Sequence, residues 1–319
     1  MNLSKIKDIR PVVIGTGSIG ERHLRNMRTM GLETIGVVTR NPNKTTRTIN
    51  LNDFVVLSTF EEVRNFAPTH VVVCTPSYLH VDDVEKLSSV CTEFLIEIPS
   101  VCTTQQYNRL AKLPNVEIYS AFNLRFHPAV KYIARNISEK NEKPIQVRAQ
   151  FGERILDHHS WEDVLNRYEV RSDLGGGALL TSCHELDLAQ YFLGPYVNAI
   201  GMVDNLQLDI DCEDTGVVIG KHSSGAISQV GLDFWQPTYQ RSLQVSTKDN
   251  VYYWDFKSDQ VLTSSRFDDK IIRYDITGYD FNSTYISELD DFFSNKKSLP
   301  RLGEFRGIIK TIESVKNES

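Results

Sequence analysis

Apolar positions follow two different rhythms along this chain. In the first third, short uninterrupted apolar runs recur: Val12-Val13-Ile14, the stretch Thr34 to Thr39, Val55-Val56-Leu57, Val71-Val72-Val73-Cys74, Phe94-Leu95-Ile96 and Val116 to Tyr119. Such runs mark strands covered on both faces. Helical stretches lie between them. Ile19 to Met30 sets Leu24, Met27 and Met30 on one side and stops at Gly31. Glu61 to Phe66 stops near Pro68, Asp82 to Val90 follows, and Thr103 to Leu113 ends at Pro114. Repeated βα units of this size predict an α/β domain with a doubly wound parallel sheet.

The rhythm changes after about residue 122. His127 to Ile137 reads as a helix, and Ile145 to Phe151 alternates apolar with polar. Gly175 to Gly177 leads into an apolar stretch that runs to Leu193. From Val197 to Arg273 short period-two segments alternate with turn residues such as Ser223-Ser224-Gly225. That is the pattern of a large, mostly antiparallel sheet with one covered face. Thr284 to Phe293 and Gly303 to Val315 read as helices. The expected organisation is an α/β domain over 1–122 and an α+β domain over 123–319.

Composition narrows the function classes. The chain has 319 residues, 40% hydrophobic and 24% charged, with a net charge of −6. This suits two globular domains and excludes collagen, long disorder and a disulfide scaffold. A mildly acidic balance offers no electrostatic footprint for nucleic acid or an anionic membrane. No window reaches the roughly 18 apolar residues of a spanning helix, and Met1 to Gly15 has no apolar core of signal-peptide length. Cytoplasm is the expected compartment. Cys74, Cys91, Cys102, Cys183 and Cys212, an odd number without a C-x-x-C pair, read as reduced thiols.

Gly15-Thr16-Gly17-Ser18-Ile19-Gly20 is a G-x-G-x-x-G between a buried strand and a helix, the context that gives the motif its meaning. Gly15 allows the turn, Gly17 lets backbone approach a pyrophosphate, and Gly20 lets helix and strand pack. The helix N-terminus offers N–H groups to the phosphates. A carboxylate at the end of the second strand would bond the ribose 2′-OH and repel a 2′-phosphate. This chain has Thr39-Arg40-Asn41 there, with Lys44 and Arg47 close behind. Arg40 can pair with a 2′-phosphate. The expectation is NADP, ahead of NAD.

Five stretches together resemble the Gfo/Idh/MocA oxidoreductases, the family of glucose–fructose oxidoreductase and inositol dehydrogenase. They are the glycine turn; Val73-Cys74-Thr75-Pro76-Ser77-Tyr78-Leu79-His80; Ile96-Glu97-Ile98-Pro99; Asn123-Leu124-Arg125-Phe126-His127-Pro128; and Gly175 to Gly194. The segment Gly175 to Asp187, with Asp211 to Asp214, resembles a branch associated with surface-polysaccharide sugars. The resemblance implies hydride transfer between a nicotinamide cofactor and a carbon of a sugar or nucleotide-sugar. It also implies an NAD(P)-binding Rossmann domain over 1–122, an α+β domain for substrate binding and oligomerisation over 123–319 with a large, mostly antiparallel sheet, and a homodimer or homotetramer formed through that sheet. Cys74, Thr75, Pro76, His80 and Glu97 would then lie on the cofactor side.

Two positions depart from the family pattern. Its Glu-Lys-Pro is Glu97-Ile98-Pro99 here, and isoleucine neither donates a proton nor carries charge. Thr181 stands where relatives often have aspartate, three residues before His184. Oxidising a hydroxyl needs a base, and His184, which ordinarily titrates near working pH, is the remaining catalytic candidate. Thr181 and His184 are also substrate-side candidates. Arg125 and Arg171 are candidates for a substrate carboxylate or phosphate, and Tyr168 for a sugar hydroxyl. The loss of the lysine keeps a second class open, a catalytically silent nucleotide- or sugar-binding regulatory or scaffold protein. A weaker third reading is a glycosidase that retains its nicotinamide. His158-His159 has no evident third ligand, so no metal is expected. Asp209 to Asp214 lacks EF-hand spacing and reads as an acidic turn.

Overall fold

The computed structural model describes residues 8–40, 48–157 and 164–318. Asn41, Lys44, Arg47, His158, His159 and Trp161 therefore lie outside the described residues. The chain divides into two compact units. One takes in the residues up to Asn123 together with Phe281–Gly303, and the other takes in Leu124–Asp280 and the residues from Glu304 onwards.

The first unit holds a six-stranded parallel sheet. Its strands are β1 (Pro11–Ile14), β2 (Gly36–Val38), β3 (Val55–Val56), β4 (His70–Val73), β5 (Glu93–Ile96) and β6 (Glu117–Ser120), in the order β3-β2-β1-β4-β5-β6. The apolar runs behave as their pattern implies: Val12, Val13, Val71, Val72 and Val73 are fully buried. Helices α1 (Ser18–Thr29), α2 (Phe60–Phe66), α3 (His80–Leu87) and α4 (Thr104–Leu110) connect the strands. Local chemistry sets their starts. Thr59 and Glu62 form a reciprocal capping box at α2, and the Thr103 side chain accepts from the Gln106 N–H at α4. Helix α8 (Asn282–Phe293) also belongs to this unit. Asn26 on α1 and Asn282 exchange side-chain amide hydrogen bonds of 3.2 and 2.8 Å. Far along the sequence, the Pro300 carbonyl accepts the Ser120 N–H at 2.9 Å.

The second unit holds an eight-stranded sheet. Its strands are β7 (Pro144–Arg154), β8 (Tyr196–Asp204), β9 (Thr215–His222), β10 (Ile227–Asp233), β11 (Trp235–Thr247), β12 (Asn250–Asp255), β13 (Gln260–Ser265) and β14 (Asp268–Asp275), ordered β14-β13-β12-β11-β7-β10-β9-β8. Every neighbouring pair is antiparallel except β10 with β7, which run parallel from Ile227↔Gln146 to Asp233↔Gly152. The remaining helices are α5 (Pro128–Glu139), α6 (Ala178–Thr181), α7 (His184–Leu193) and α9 (Leu302–Glu318). The apolar stretch after the glycines is thus two helices, interrupted at Ser182 and Cys183. Alternation sorts the sheet's faces: Val147, Ala149, Val218, Val230, Leu243 and Val245 are buried, while Ile200, Met202, Val217 and Ile219 are exposed. Helix α7 packs on the covered face and buries most of its circumference, including Glu185, Asp187 and Gln190. Among the described residues no helix is long and apolar enough to cross a membrane.

Candidate active site

In the first unit the glycine turn lies between β1 and α1, at the carboxyl end of the strand flanked by β2 and β4. Gly15 has φ +91° and its N–H bonds the Val38 carbonyl at 2.9 Å. A Cβ there would lie 2.6 Å from the Cys74 carbonyl oxygen, and a Cβ on Gly20 would lie 2.0 Å from that of Gly15. Gly17 is the opposite case, with nothing within 4 Å of an added Cβ. It caps α1 without a side-chain hydrogen bond, so the first turn's N–H groups are not consumed by a capping side chain. Two tight glycines and one open one are what a pyrophosphate cradle requires. Ser18 and Ile19 begin the helix, and the Thr16 and Thr39 hydroxyls share a 2.6 Å hydrogen bond. Arg40 follows Thr39 at the end of β2, exposed.

Behind this turn the predicted cofactor-side residues form a connected interior. Glu97 continues from β5, and its Oε1 lies 2.6 Å from Nε2 of fully buried His23 on α1. Cys74 is close to both. Burial, with the carboxylates of Glu97 and Glu288, pushes its thiol well up, so it is a neutral thiol. Glu288 on α8 is fully buried, and burial beside Glu97 raises its carboxyl well above the usual range. The Thr75 hydroxyl donates to Asp83 at 2.7 Å. His80 sits between two carbonyls, Nε2 2.7 Å from Thr75 O and Nδ1 3.1 Å from Pro99 O. It thus ties the segment after β4 to the segment after β5. Pro76 precedes a short 3-10 turn over Ser77–Leu79. Ile98 is half-buried.

In the second unit a cavity of about 130 Å³ is lined by Phe151, Glu153, Ile155, Tyr168, Glu169, Thr181, Ser182, His184, Phe234 and Arg241. Three of the substrate-side candidates, Tyr168, Thr181 and His184, meet here. Thr181 bonds its hydroxyl to the Gly177 carbonyl at 2.8 Å. Gly177 (φ +114°) and Gly176 allow the chain to press against Glu213 and the backbone of Glu169 and Arg171. The acidic turn is internally bonded. Asp214 accepts three backbone N–H groups, from Leu206, Gln207 and Leu208, and Asp211 accepts the N–H and hydroxyl of Ser172.

The other two substrate-side candidates lie elsewhere. Arg125 is buried and gives Asp187 two hydrogen bonds, 2.9 and 2.6 Å, and Glu304 a third of 3.0 Å. Asp187, three residues after His184, is therefore spent on Arg125. Arg171 is half-buried and doubly bonded to Asp173.

His184 differs from its sequence expectation. It is half-buried, and desolvation together with the Arg241 guanidinium pushes its imidazole down to about 3. It is neutral at working pH. Sequence reasoning missed Arg241, whose Nε donates to Glu185 at 2.7 Å and whose guanidinium carbon stands 4.3 Å over the Phe151 ring. The signal was present: in the alternation of β11, Arg241 occupies the same buried phase as Leu243 and Val245. A charged residue in the covered phase of a strand is a pointer to a site or a buried pair. Glu153 and Phe151, near the end of β7, were missed as well.

Comparisons with known proteins follow these lines. The family described as "Oxidoreductase family, NAD-binding Rossmann fold" matches residues 9–116, and the "GFO/IDH/MocA C-terminal domain" matches residues 141–250. No curated protein matches the sequence significantly. Among solved structures, an NAD-binding oxidoreductase from Klebsiella pneumoniae superposes with a TM-score of 0.82 at 14% identity, covering 97% of this chain and 96% of its own. A levoglucosan dehydrogenase solved with NADH gives 0.81 at 16% identity, covering 98% of each chain. A UDP-N-acetylglucosamine 3-dehydrogenase from Acidithiobacillus ferrooxidans gives 0.78 at 16% identity, covering 97% of each. At these identities the likeness is one of fold.

Proposed function

We propose, for a chain that belongs to the Gfo/Idh/MocA oxidoreductase family, an NADP(H)-dependent oxidoreductase that acts on a CH–OH group of a sugar or nucleotide-sugar. The observation that carries this reading is the glycine turn: closed at Gly15 and Gly20, open at Gly17, and followed by a helix start without a capping side chain. Gly15 to Gly20 would hold the pyrophosphate and Thr39 and Arg40 the adenosine end. Cys74, Thr75, Pro76, His80 and Glu97 form the strand-end wall on the nicotinamide side. A bound nicotinamide would take or give a hydride at the substrate carbon. NADP is favoured over NAD because Thr39 and Arg40, with no carboxylate, end β2.

The second unit's cavity would hold the sugar. Tyr168, Thr181, Ser182 and Arg241 supply polar groups, and Phe151 and Phe234 supply apolar ones. His184 would contact the reacting hydroxyl. Its imidazole is unprotonated at neutral pH, so its ring nitrogen can accept a hydrogen bond from that hydroxyl. The exposed apolar positions Ile200, Met202, Val217 and Ile219, paired across β8 and β9, support a homodimer or homotetramer through this sheet. Five cysteines outside any disulfide support a reducing compartment, the cytoplasm. The resemblance of the Gly175 to Asp187 segment supports a role in surface-polysaccharide sugar metabolism.

A parallel fluorescence titration of the purified protein with NADPH and NADH tests this. NADPH binding about tenfold tighter than NADH supports both the enzyme class and Arg40 as the 2′-phosphate contact. Preferred NADH overturns the NADP assignment. Binding of neither by cofactor-free protein overturns the oxidoreductase reading.

One observation favours a second reading, a catalytically silent nucleotide- or sugar-binding protein: Ile98 replaces the family's lysine. Ile98→Lys separates the two. A large gain from a zero baseline in the variant marks a silent natural site, and turnover by the unaltered protein excludes it.

A further inference from the structure

Four chemistry-bearing side chains, far apart in the sequence, converge inside the first unit. Val73 and Ile96 pair across β4 and β5, so Cys74 and Glu97 leave the two strands side by side. His23 comes from α1, and Glu288 comes from α8, which packs against α1 through the Asn26–Asn282 amide pair. One donor atom each of His23, Cys74 and Glu97 lies within 4.8 Å of the other two. The charge of Glu288 acts on both Cys74 and Glu97.

The hydrogen bonding of this group is incomplete. His23 and Glu288 are fully buried. Yet His23 Nδ1 and both carboxyl oxygens of Glu288 have no hydrogen-bond partner among the described residues. Buried carboxyl groups are ordinarily hydrogen-bonded, paired with a cation or bound to a metal. We infer that His23, Cys74, Glu97 and Glu288 form a closed site for one thiophilic divalent cation such as zinc.

The donor set selects the ion. Imidazole nitrogen, thiolate sulfur and carboxylate oxygen are zinc ligands, whereas calcium and magnesium take oxygen donors. The ion displaces the thiol proton of Cys74 to solvent, and its two positive charges offset the buried carboxylates. His23 Nε2 and Glu97 Oε1 share a hydrogen bond of 2.6 Å. Two donors on one tetrahedral zinc stand about 3.3 Å apart, so loading separates this pair by roughly 0.7 Å. Glu97, 9% exposed, marks the way in from solvent. Positions 23, 74, 97 and 288 show no ligand spacing, which is why the sequence gives no hint of the site. An ion there would tie α1, the helix that the glycine turn opens, to the ends of β4 and β5 and to α8. The site is distinct from the proposed sugar cavity of the second unit.

The test uses the full chain, produced in cells grown with added zinc or added cobalt and then desalted. Elemental analysis is expected to find about one ion per chain, and the cobalt form to show a thiolate-to-cobalt charge-transfer band. Cys74→Ser is expected to abolish the band and Cys91→Ser to keep it. Glu288→Gln, which keeps the side chain's size, is expected to weaken zinc binding at least about tenfold, read by competition with a chromogenic chelator. X-ray absorption on the unaltered zinc form is a second readout that needs no variant, with one sulfur expected among the nearest neighbours. No ion in either preparation, a band that survives in folded Cys74→Ser, or a zinc shell without sulfur overturns the site. Unchanged zinc affinity in Glu288→Gln overturns it as well.

Discussion

His23 and Glu97 meet at 2.6 Å in the interior of the first unit, joining the helix that follows the glycine turn to the end of β5. His23 is fully buried and Glu97 nearly so. The contact makes the geometry of the helix after the glycine turn depend on a residue 74 positions away. Glu97→Ala leaves the imidazole Nε2 without this partner, and orphaning a buried polar group costs about 1–3 kcal/mol. The expected result is a urea midpoint lowered accordingly, together with weaker dinucleotide binding. A variant that melts like the parent and binds nucleotide normally would show that the contact has no such role.

The three glycines of the turn are not equivalent. Gly20→Ala forces a Cβ to within 2.0 Å of the Gly15 carbonyl oxygen. It is expected to lower thermal stability and abolish nucleotide binding together. Gly17→Ala meets nothing within 4 Å, and its φ of −74° suits alanine. It is expected to melt normally yet lose about tenfold or more in nucleotide affinity, because its methyl group fills the space that a pyrophosphate needs. Circular dichroism melts and fluorescence titrations on the two variants separate folding from binding.

Arg40 carries the NADP assignment. Arg40→Ala is expected to weaken NADPH binding about tenfold, as loss of one charge-assisted phosphate contact, and to leave NADH binding unchanged. Equal loss for both nucleotides would place the side chain over the adenine instead.

Arg125 is held by Asp187 and Glu304 through three hydrogen bonds. Arg125→Ala strands the carboxylate of Asp187, 1% exposed, and breaking a buried pair in this way costs about 3–5 kcal/mol. A lower denaturation midpoint is the expected readout. Normal stability with a raised KM would instead return Arg125 to the substrate side.

Acid sensitivity follows from three histidines that the fold desolvates. Burial and Arg241 hold His184 down to about 3 and His127 to about 4, and burial and Lys296 hold His70 to about 4. In the unfolded chain each titrates near 6.5. Between about pH 6.5 and 4 the unfolded chain therefore binds protons that the folded chain does not. Stability is full above that window and falls as pH drops through it. Urea midpoints from pH 7.5 to 4.5 should decline, and His70→Phe, which keeps a ring between Phe292 and Phe293, should flatten the decline. The same shift predicts no His184 inflection in kcat/KM between pH 6 and 8.

The sequence alone determined the features that depend on neighbours in the chain. Uninterrupted apolar runs such as Val71–Val73 could only be strands buried on both faces, and the glycine turn between strand and helix announced the dinucleotide cradle. The alternation within Ile145 to Phe151 and from Val197 to Arg273 announced the second sheet. The tertiary structure decided what depends on burial and distant partners. His184 has the residue type of a base near neutrality, but desolvation beside Arg241 makes it a neutral imidazole. Arg125 and Arg171 have the type of anion-binding residues, yet Asp187, Glu304 and Asp173 neutralise them. The parallel pairing of β10 with β7 and the grouping of 281–303 with the first unit are long-range choices. Propensity and periodicity are local, while desolvation and charge pairing are set by whatever residues the fold brings close.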